Sequence, residues 1–525
     1  MTPLFNTKQN KVYHKNSTIA KDLRPVFQFE RILLKYLLNS DDYREIQWKS
    51  ADRPCYFTNK GKILIRMSEI KKLLTDAIRL SDLRSEISEM PLVEDLSCFD
   101  EVVKLNSERL NNLYFEAEDI ILNKVNEKYS DIDNEVVSFS GGKDSTVVSH
   151  LVRRIKGSNS ILHIFGDTSL EDLNTYKYLE RFKRDNPTIP VITTTTNKNF
   201  FDMCSQIGPP SRVMRWCCPI FKTGPIDEEF NMLTQAGFKK KFIAYIGIRK
   251  SESARRSKYN VIDESPKIIG EISVHPIFNW SDFDVFLYML KHKVDFNDSY
   301  KLGFNRVGCW CCPMNSQWSD LLYRIYFPET AENWRNFLID FAKKTGKTEI
   351  EDYVDNKMWA RRQGGKGLET RYTGINFKMC GDLNNTFRYK ASKRHIDNSL
   401  MEFLRPLGYF DSGTWLETKK LLINNNKGAV RFVVEFESDL NSFKVITTAS
   451  SIIDIKNELS LFKSQLVKFE NCIGCGACLQ KCQFDAINCL NIDYVIDDVK
   501  CRRCGACIKA FDSGCLVAKV TRSGE

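Results

Sequence analysis

The sequence contains no run of about 18 apolar residues, so no membrane-spanning helix is expected. Its first segment, MTPLFNTKQNKVYHKN, has no apolar stretch followed by a cleavage site, so no secretory signal is expected either. Low-complexity segments are missing as well. Together these absences point to the cytoplasm and away from a membrane. Disorder is excluded by composition, since 42% of the residues are apolar and 27% charged. The abundant residue is cysteine, at 18 copies. Structural disulfides are disfavoured in a reducing compartment, so the cysteines read as metal ligands, subject to their spacing. The net charge of +10, from 77 basic and 67 acidic residues, suits a nucleic-acid partner and equally suits a solvated basic surface.

At roughly 100–200 residues per domain, the length implies about three domains. The pattern divides the chain into 1–125, 126–320, 321–465 and 466–525. In the first region, FERILLKYLL (29–38) and SEIKKLLTDAIRLSDLRSEI (68–87) have helical periodicity. CYFTNKGKILIRMS (55–68) reads as two strands about a turn at Asn59-Lys60-Gly61. No chemical motif stands out there, and an accessory role is expected. From 134 onward strands alternate with helices: NEVVSFS, SILHIFGDTS, PVITTTT and KFIAYIGIR are strands, and KDSTVVSHLVRRI is a helix. This alternation predicts an α/β parallel sheet with helices on both faces. Its ligands would sit at the carboxyl ends of the strands, where the glycine turn, Asp167 and Arg249 all fall. Helical segments follow from about 320 to 410, and 429–467 reads as two strands and a helix. NNNKG (424–428) reads as a loop tip and a boundary.

The segment SFSGGKDS (138–145) joins the first strand to the first helix. Glycines there let backbone N–H groups approach a phosphate, and the helix N-terminus favours an anion. Ser140 and Ser145 supply hydroxyls and Lys143 a charge. The spacing is not GxxxxGK[ST], so this is not the Walker pattern. An ordinary strand–turn–helix connection would explain two glycines, but not the whole string. It resembles the PP-loop of the ATP pyrophosphatase superfamily, whose members bind ATP and cleave between its α and β phosphates. Four further segments resemble the PAPS reductase branch over 134–315: Asp167-Thr168, GIRKSESARR (247–256), VHPIFNWSDFDVFLYM (274–289) and NDSYKLGFNRVGCWCCP (297–313). The resemblance implies an adenine nucleotide α-hydrolase-like fold, with ATP and Mg2+ as cofactors. It assigns Ser138, Ser140, Gly141, Gly142, Lys143, Asp144, Ser145, Asp167, Thr168 and Gly247 to nucleotide binding. It assigns Lys143, Asp144, Arg249 and Arg255 to catalysis.

The cysteines of this region, Cys217-Cys218 and later Cys309 and Cys312 with Cys311 spare, resemble the 4Fe–4S site of bacterial APS reductases. Zinc bound by four thiolates, or free buried thiols, are the alternatives. In the tail, CIGCGACLQKC (472–482) has the spacing C-x2-C-x2-C-x3-C of bacterial ferredoxins, and CRRCGACIKAFDSGC (501–515) repeats the triple. In that arrangement the distant fourth cysteine serves the other cluster. One 4Fe–4S group would therefore take Cys472, Cys475, Cys478 and Cys515, and the other Cys501, Cys504, Cys507 and Cys482. Gln483 replaces the usual proline, and Cys489 is left over as a packing residue.

The sulfate-reducing members carry a C-terminal Glu-Cys-Gly-x-His, which is missing here. The nearest string is KMCGD at Cys380, read as structural. With an intact loop, the resemblance narrows to DndC- and SspD-type proteins of DNA phosphorothioation. That implies a cysteine desulfurase as sulfur donor, DNA or another nucleic acid as acceptor, and an electron donor. Arg361, Arg362, Lys366 and Arg371 would suit a phosphate backbone or a solvated face. A PAPS or APS reductase, a tRNA thiolation enzyme and a non-catalytic redox scaffold are the competing readings.

Overall fold

The computed structural model describes residues 2–6, 9, 11–14, 17–38, 41–51, 53–58, 61–90, 94–239, 241–265, 268–380, 385–489 and 493–522. Asn59 and Lys60 of the expected turn, and Gly381 and Asp382 of KMCGD, lie outside the described residues. The chain forms two compact units. One comprises 1–195, 232–266 and 270–336, and the other 196–231, 267–269 and 337–525.

The first unit is built on a six-stranded sheet: β1 (Glu135–Ser138), β2 (Leu162–Gly166), β3 (Val191–Thr194), β4 (Phe242–Ile246), β5 (Ile262–Glu264) and β6 (Glu271–Val274). The order is β3-β2-β1-β4-β6-β5, with every pair parallel except β5 and β6. Val136 and Ala244 on one face and Val137 and Tyr245 on the other are all buried, as near-continuous apolar strands of a parallel sheet require. Val137 and Tyr245 join the core of helices α1 (Lys143–Lys156) and α3 (Asp282–His292). Phe139 and Phe165 pack on Tyr178, Leu179 and Phe182 of α2 (Leu173–Asp185). The chain leaves β1 toward β2 on one side and meets β4 on the other. The turn after β1 therefore lies at the switch in strand order, where such sheets bind ligands.

The N-terminal segments pack into this same unit. Helix Gln28–Leu38 shares a core with helix Gln317–Tyr326 through Leu33, Leu34, Trp318 and Leu322. A buried ion network ties them to the loop at 303–305: Arg24 pairs with Glu30 at 2.7 Å and donates to the Gly303 carbonyl at 2.8 Å. The periodic segment 68–87 is two helices, Met67–Thr75 and Ala77–Glu89. Asp76 breaks it, because its carboxylate accepts from the Arg79 N–H and caps the second helix.

The second unit holds a five-stranded antiparallel sheet in the order Asn376–Met379, Thr386–Lys390, Ser442–Thr447, Val430–Phe436, Lys420–Asn424. The two strands and helix read from 429–467 are present, and three strands join them that sequence reading left unassigned. NNNKG lies at the hairpin tip between two of these strands, inside one sheet. Helix α4 (Ile452–Asn471) starts at Ser451, whose hydroxyl accepts from the Asp454 N–H. Its C-terminal half is buried between the sheet and the cysteine-rich tail. Phe462, Leu466 and Phe469 share a core with Phe432 and Phe443 on one side and Cys489, Ile496 and Ile508 on the other. Among the described residues no helix is long and apolar enough to cross a membrane.

Candidate active site and cysteine cradle

The turn after β1 is held by its own hydroxyls and by a distant segment. Gly141 has φ +67°, a conformation that suits glycine, and a Cβ there would meet Thr175 Cγ2 at 3.1 Å. Ser145 Oγ donates to the Gly142 carbonyl at 2.9 Å and accepts from the Ser140 N–H at 3.1 Å. Ser145 thus braces the loop. Asn297 Nδ2 donates to the Gly141 carbonyl at 3.3 Å, and Tyr300 Oη accepts from the Lys143 N–H at 3.0 Å. The N…Y…G segment at 297–303 is therefore the rear support of the loop. Gly247, just after β4, lies against the start of α1, where an added Cβ would come within 2.7 Å of the Asp144 carbonyl carbon. Only glycine lets β4 end this close to the loop. Ser138 ends β1 and pairs in register with Ile164 and Ile246.

Four charged side chains converge behind the turn. Lys143 Nζ lies 3.1 Å from Asp144 and 3.0 Å from Asp282 Oδ1. Arg249 Nε lies 2.6 Å from Asp144, and its Nη2 lies 2.8 Å from the same Asp282 Oδ1. Lys143 and Arg249 are 3% and 2% exposed, so these pairs are screened little by solvent. Burial opposes ionisation of Asp144, but Arg249 and then Lys143 outweigh it and hold the carboxyl at about 2. For Lys143, burial is outweighed in turn by Asp144 and Asp282, which keep the ammonium charged. Behind Asp282 stands Asp22, whose carboxylate accepts from the N–H groups of Asp282 at 2.8 Å and Phe283 at 3.1 Å, at the start of α3. Burial, and then the charge of Asp282, push Asp22 up to about 7.

Sequence reasoning missed Asp282 and Asp22. Asp282 lies within the quoted segment 274–289, two residues before its Asp284-Val285 pair. Asp284 of that Asp-Val is structural, capping α3 with Ser281 and binding Arg109 at 2.6 Å. Asp22 carries no local signal at all. Arg255, expected in catalysis, is exposed and outside the charged cluster, with no ion pair among the described residues. At the end of β2, Asp167 accepts from Tyr176 Oη and from the Ser169 N–H, each at 2.8 Å. Thr168 is buried, donates to Glu171 at 3.0 Å and lies 3.5 Å from Cys309 Sγ.

Cys309 and Cys312 belong to the first unit, and Cys217 and Cys218 to the second, just before the turn Pro219–Thr223. Cys311 is buried. Of the basic loop, Arg361, Lys366 and Arg371 are exposed. Arg362 is withdrawn, donating to the carbonyls of Gly364 and Ile207, which corrects its reading as a surface contact.

In the tail the two cysteine triples share one backbone turn. Gly474 and Gly476 have φ +64° and +76°, and their counterparts Arg503 and Gly505 have +51° and +73°. The Gly474, Ala477 and Arg503 N–H groups donate to the sulfurs of Cys472, Cys475 and Cys501. Those of Ala486 and Ala518 donate to Cys482 and Cys515, each at 3.3 Å. Cys475 interacts electrostatically with Cys478, Cys515 and Cys472, and Cys507 with Cys478, Cys482 and Cys501. Burial raises most of these thiols, Cys507 to about 11 and Cys515 to about 12, so they need an external positive charge to ionise. Iron supplies such a charge, and N–H groups aimed at sulfur suit thiolates. Among the described residues, no three Cys, His, Asp or Glu side chains close around a single ion. Cys489 lies 3.8 Å from Cys478, sulfur to sulfur, so it contacts the cradle as well as packing.

A glycine turn at the switch point of a parallel sheet, opening a helix beside buried cations, defines a PP-loop-type α/β domain. Its kind follows from comparison. Residues 134–315 match the phosphoadenosine phosphosulfate reductase domain, and 466–488 match the 4Fe–4S binding domain, so the chain joins the two. An uncharacterized protein of Methanocaldococcus jannaschii is 33% identical over 262 residues, which is 50% of this chain and 52% of that protein. A second from the same organism is 30% identical over 214 residues, 41% of this chain and 49% of that protein. The chain thus spans about half the length of these relatives, 52% and 49%. An adenosine 5'-phosphosulfate reductase of Geobacillus sp. (strain WCH70) is 26% identical over 187 residues, 34% of this chain and 73% of that enzyme. Among solved structures, the phosphoadenylyl-sulfate reductase of Candida auris in its phosphate complex is 15% identical. It covers 48% of this chain and 98% of its own, with a TM-score of 0.27.

Proposed function

We propose that the chain cleaves ATP to AMP and pyrophosphate in order to activate a backbone phosphate of DNA for sulfur insertion. The observation that carries this reading is the intact SGGKDS turn with Lys143 and Arg249 buried against one Asp282 oxygen. The N–H groups at the head of α1 other than those of Lys143 and Thr146, which Tyr300 and the Gly142 carbonyl engage, would receive the phosphates of ATP. An acceptor oxygen attacks the α-phosphorus, the bond to the bridging oxygen breaks, and pyrophosphate leaves with that electron pair. Lys143 and Arg249 neutralise the charge that develops. Asp144 and Asp282 are the carboxylates for which Mg2+ would compete. A sulfur nucleophile, supplied through a cysteine desulfurase, then displaces AMP from the activated phosphate. The exposed Arg361, Lys366 and Arg371 suit the acceptor's backbone. The tail clusters would accept electrons from a separate donor, and a cytoplasmic setting suits the reduced thiols.

A second reading, reduction of a sulfonucleotide, is favoured by the likeness to adenosine 5'-phosphosulfate reductase. One experiment separates the two: anaerobically purified protein is assayed for pyrophosphate from ATP and for sulfite from PAPS and APS. Pyrophosphate without sulfite supports ATP cleavage, whereas sulfite without pyrophosphate overturns it in favour of the reductase.

A further inference from the structure

Lys468 is the most unusual buried charge in the second unit. It lies on α4 four residues before Cys472 and is 2% exposed. An ammonium taken out of water is costly unless an anion compensates it. Among the described residues Lys468 has no carboxylate partner. Its Nζ donates to the Cys507 carbonyl at 3.2 Å and lies 5.4 Å from the Tyr494 ring centre. The buried carboxylate nearest in sequence, Glu470, is already engaged by Tyr389 Oη at 2.5 Å and by the N–H groups of Ser392 at 2.8 Å and Lys393 at 2.7 Å. Lys468 sits instead among the cysteine turns: its Nζ bonds the backbone of Cys507, and one helical turn further on α4 gives way to Cys472.

We infer that Lys468 is a positioning residue, the buried counter-charge of the tail clusters, which raises their reduction potentials. Thiolates wrapped around iron and sulfide carry net negative charge, which grows by one when the cluster takes an electron. A fixed cation beside the sulfurs stabilises that reduced state, and net charge and burial are among the factors that set cluster potentials. The electron itself comes from an external low-potential one-electron donor, for which dithionite stands in during titration.

The test uses the full chain, purified anaerobically, with iron content and redox titration followed by electron paramagnetic resonance. Lys468→Met and Lys468→Gln should both keep the iron, and the couples of the tail should move to lower potential. Lys468→Arg should stay near the wild type. If Met and Gln lose iron while Arg retains it, positive charge is needed to hold the clusters, which also supports the inference. Unchanged potentials in an iron-replete Lys468→Gln would overturn it. So would loss of iron in all three variants, which would make Lys468 a packing element. ATP cleavage is not a readout, so failure here is separable from failure of the proposed function.

Discussion

Lys143 and Arg249 converge on one oxygen: Asp282 Oδ1 lies 3.0 Å from Lys143 Nζ and 2.8 Å from Arg249 Nη2. Lys143 opens α1 after β1, Arg249 follows the adjacent strand β4, and the carboxylate comes from the start of α3. Asp282 therefore sets the separation of the two charges that a nucleotide would meet.

Replacing Asp282 by Ala leaves two buried cations with only Asp144 between them. Breaking a buried pair by removing one partner costs about 3–5 kcal/mol. Urea unfolding of Asp282→Ala should show a loss of that order, and nucleotide-dependent turnover should fall at least tenfold. Full stability with full turnover would show that Asp282 does not organise the site.

Gly247→Ala places a methyl group within 2.7 Å of backbone at the head of α1. Overpacking of this kind costs about 1–3 kcal/mol. Because the displaced atoms belong to the loop itself, ATP affinity should weaken more than global stability, as read by calorimetry against thermal melts.

Lys143→Ala should abolish pyrophosphate release while leaving iron per chain unchanged, since Lys143 lies in the first unit and the ferredoxin-type cysteines in the second. Loss of both together would make the side chain structural.

The acid groups of the site predict opposite pH trends. Asp144 is held at about 2 against an ordinary 3.8, so its contribution is present above pH 4 and lost as pH falls toward 2. Asp22 is raised from 3.8 to about 7, so the folded state holds an extra proton between those values. Its favourable contribution is complete below pH 4 and lost as pH rises through 7. Asp22→Asn should therefore gain stability relative to the wild type between pH 5 and pH 8, measured by paired urea melts. A difference that does not vary with pH would exclude a raised Asp22.

Gly476→Val and Gly505→Val each force a β-branched residue into left-handed backbone, φ +76° and +73° in the native turns. If each turn wraps its own cluster, each variant should lose about half of the tail's iron, by metal analysis of anaerobic protein. Iron lost from only one of the two variants would mean that the tail holds a single cluster.

Contiguous motifs were legible in the sequence, and 134–315 and 466–488 match the two domains read from them. The turn at 138–145 and the triples at 472–478 and 501–507 announce themselves because phosphate and iron–sulfur binding need particular residues within a few positions of one another. The parallel sheet was legible too, through apolar strands alternating with helices. What only the tertiary structure decided is how these parts are charged and braced. Asn297 and Tyr300 support the loop from more than 150 residues away, Asp282 joins its two cations, and Asp22 backs Asp282 from the N-terminal segment. Arg362 and Arg255 carry the same charge as Arg249 in the sequence, yet one is withdrawn onto carbonyls and the other stands in solvent. The reason is physical: a side chain's charge is local, but its desolvation and its partners depend on which distant strands and helices the sheet order brings together.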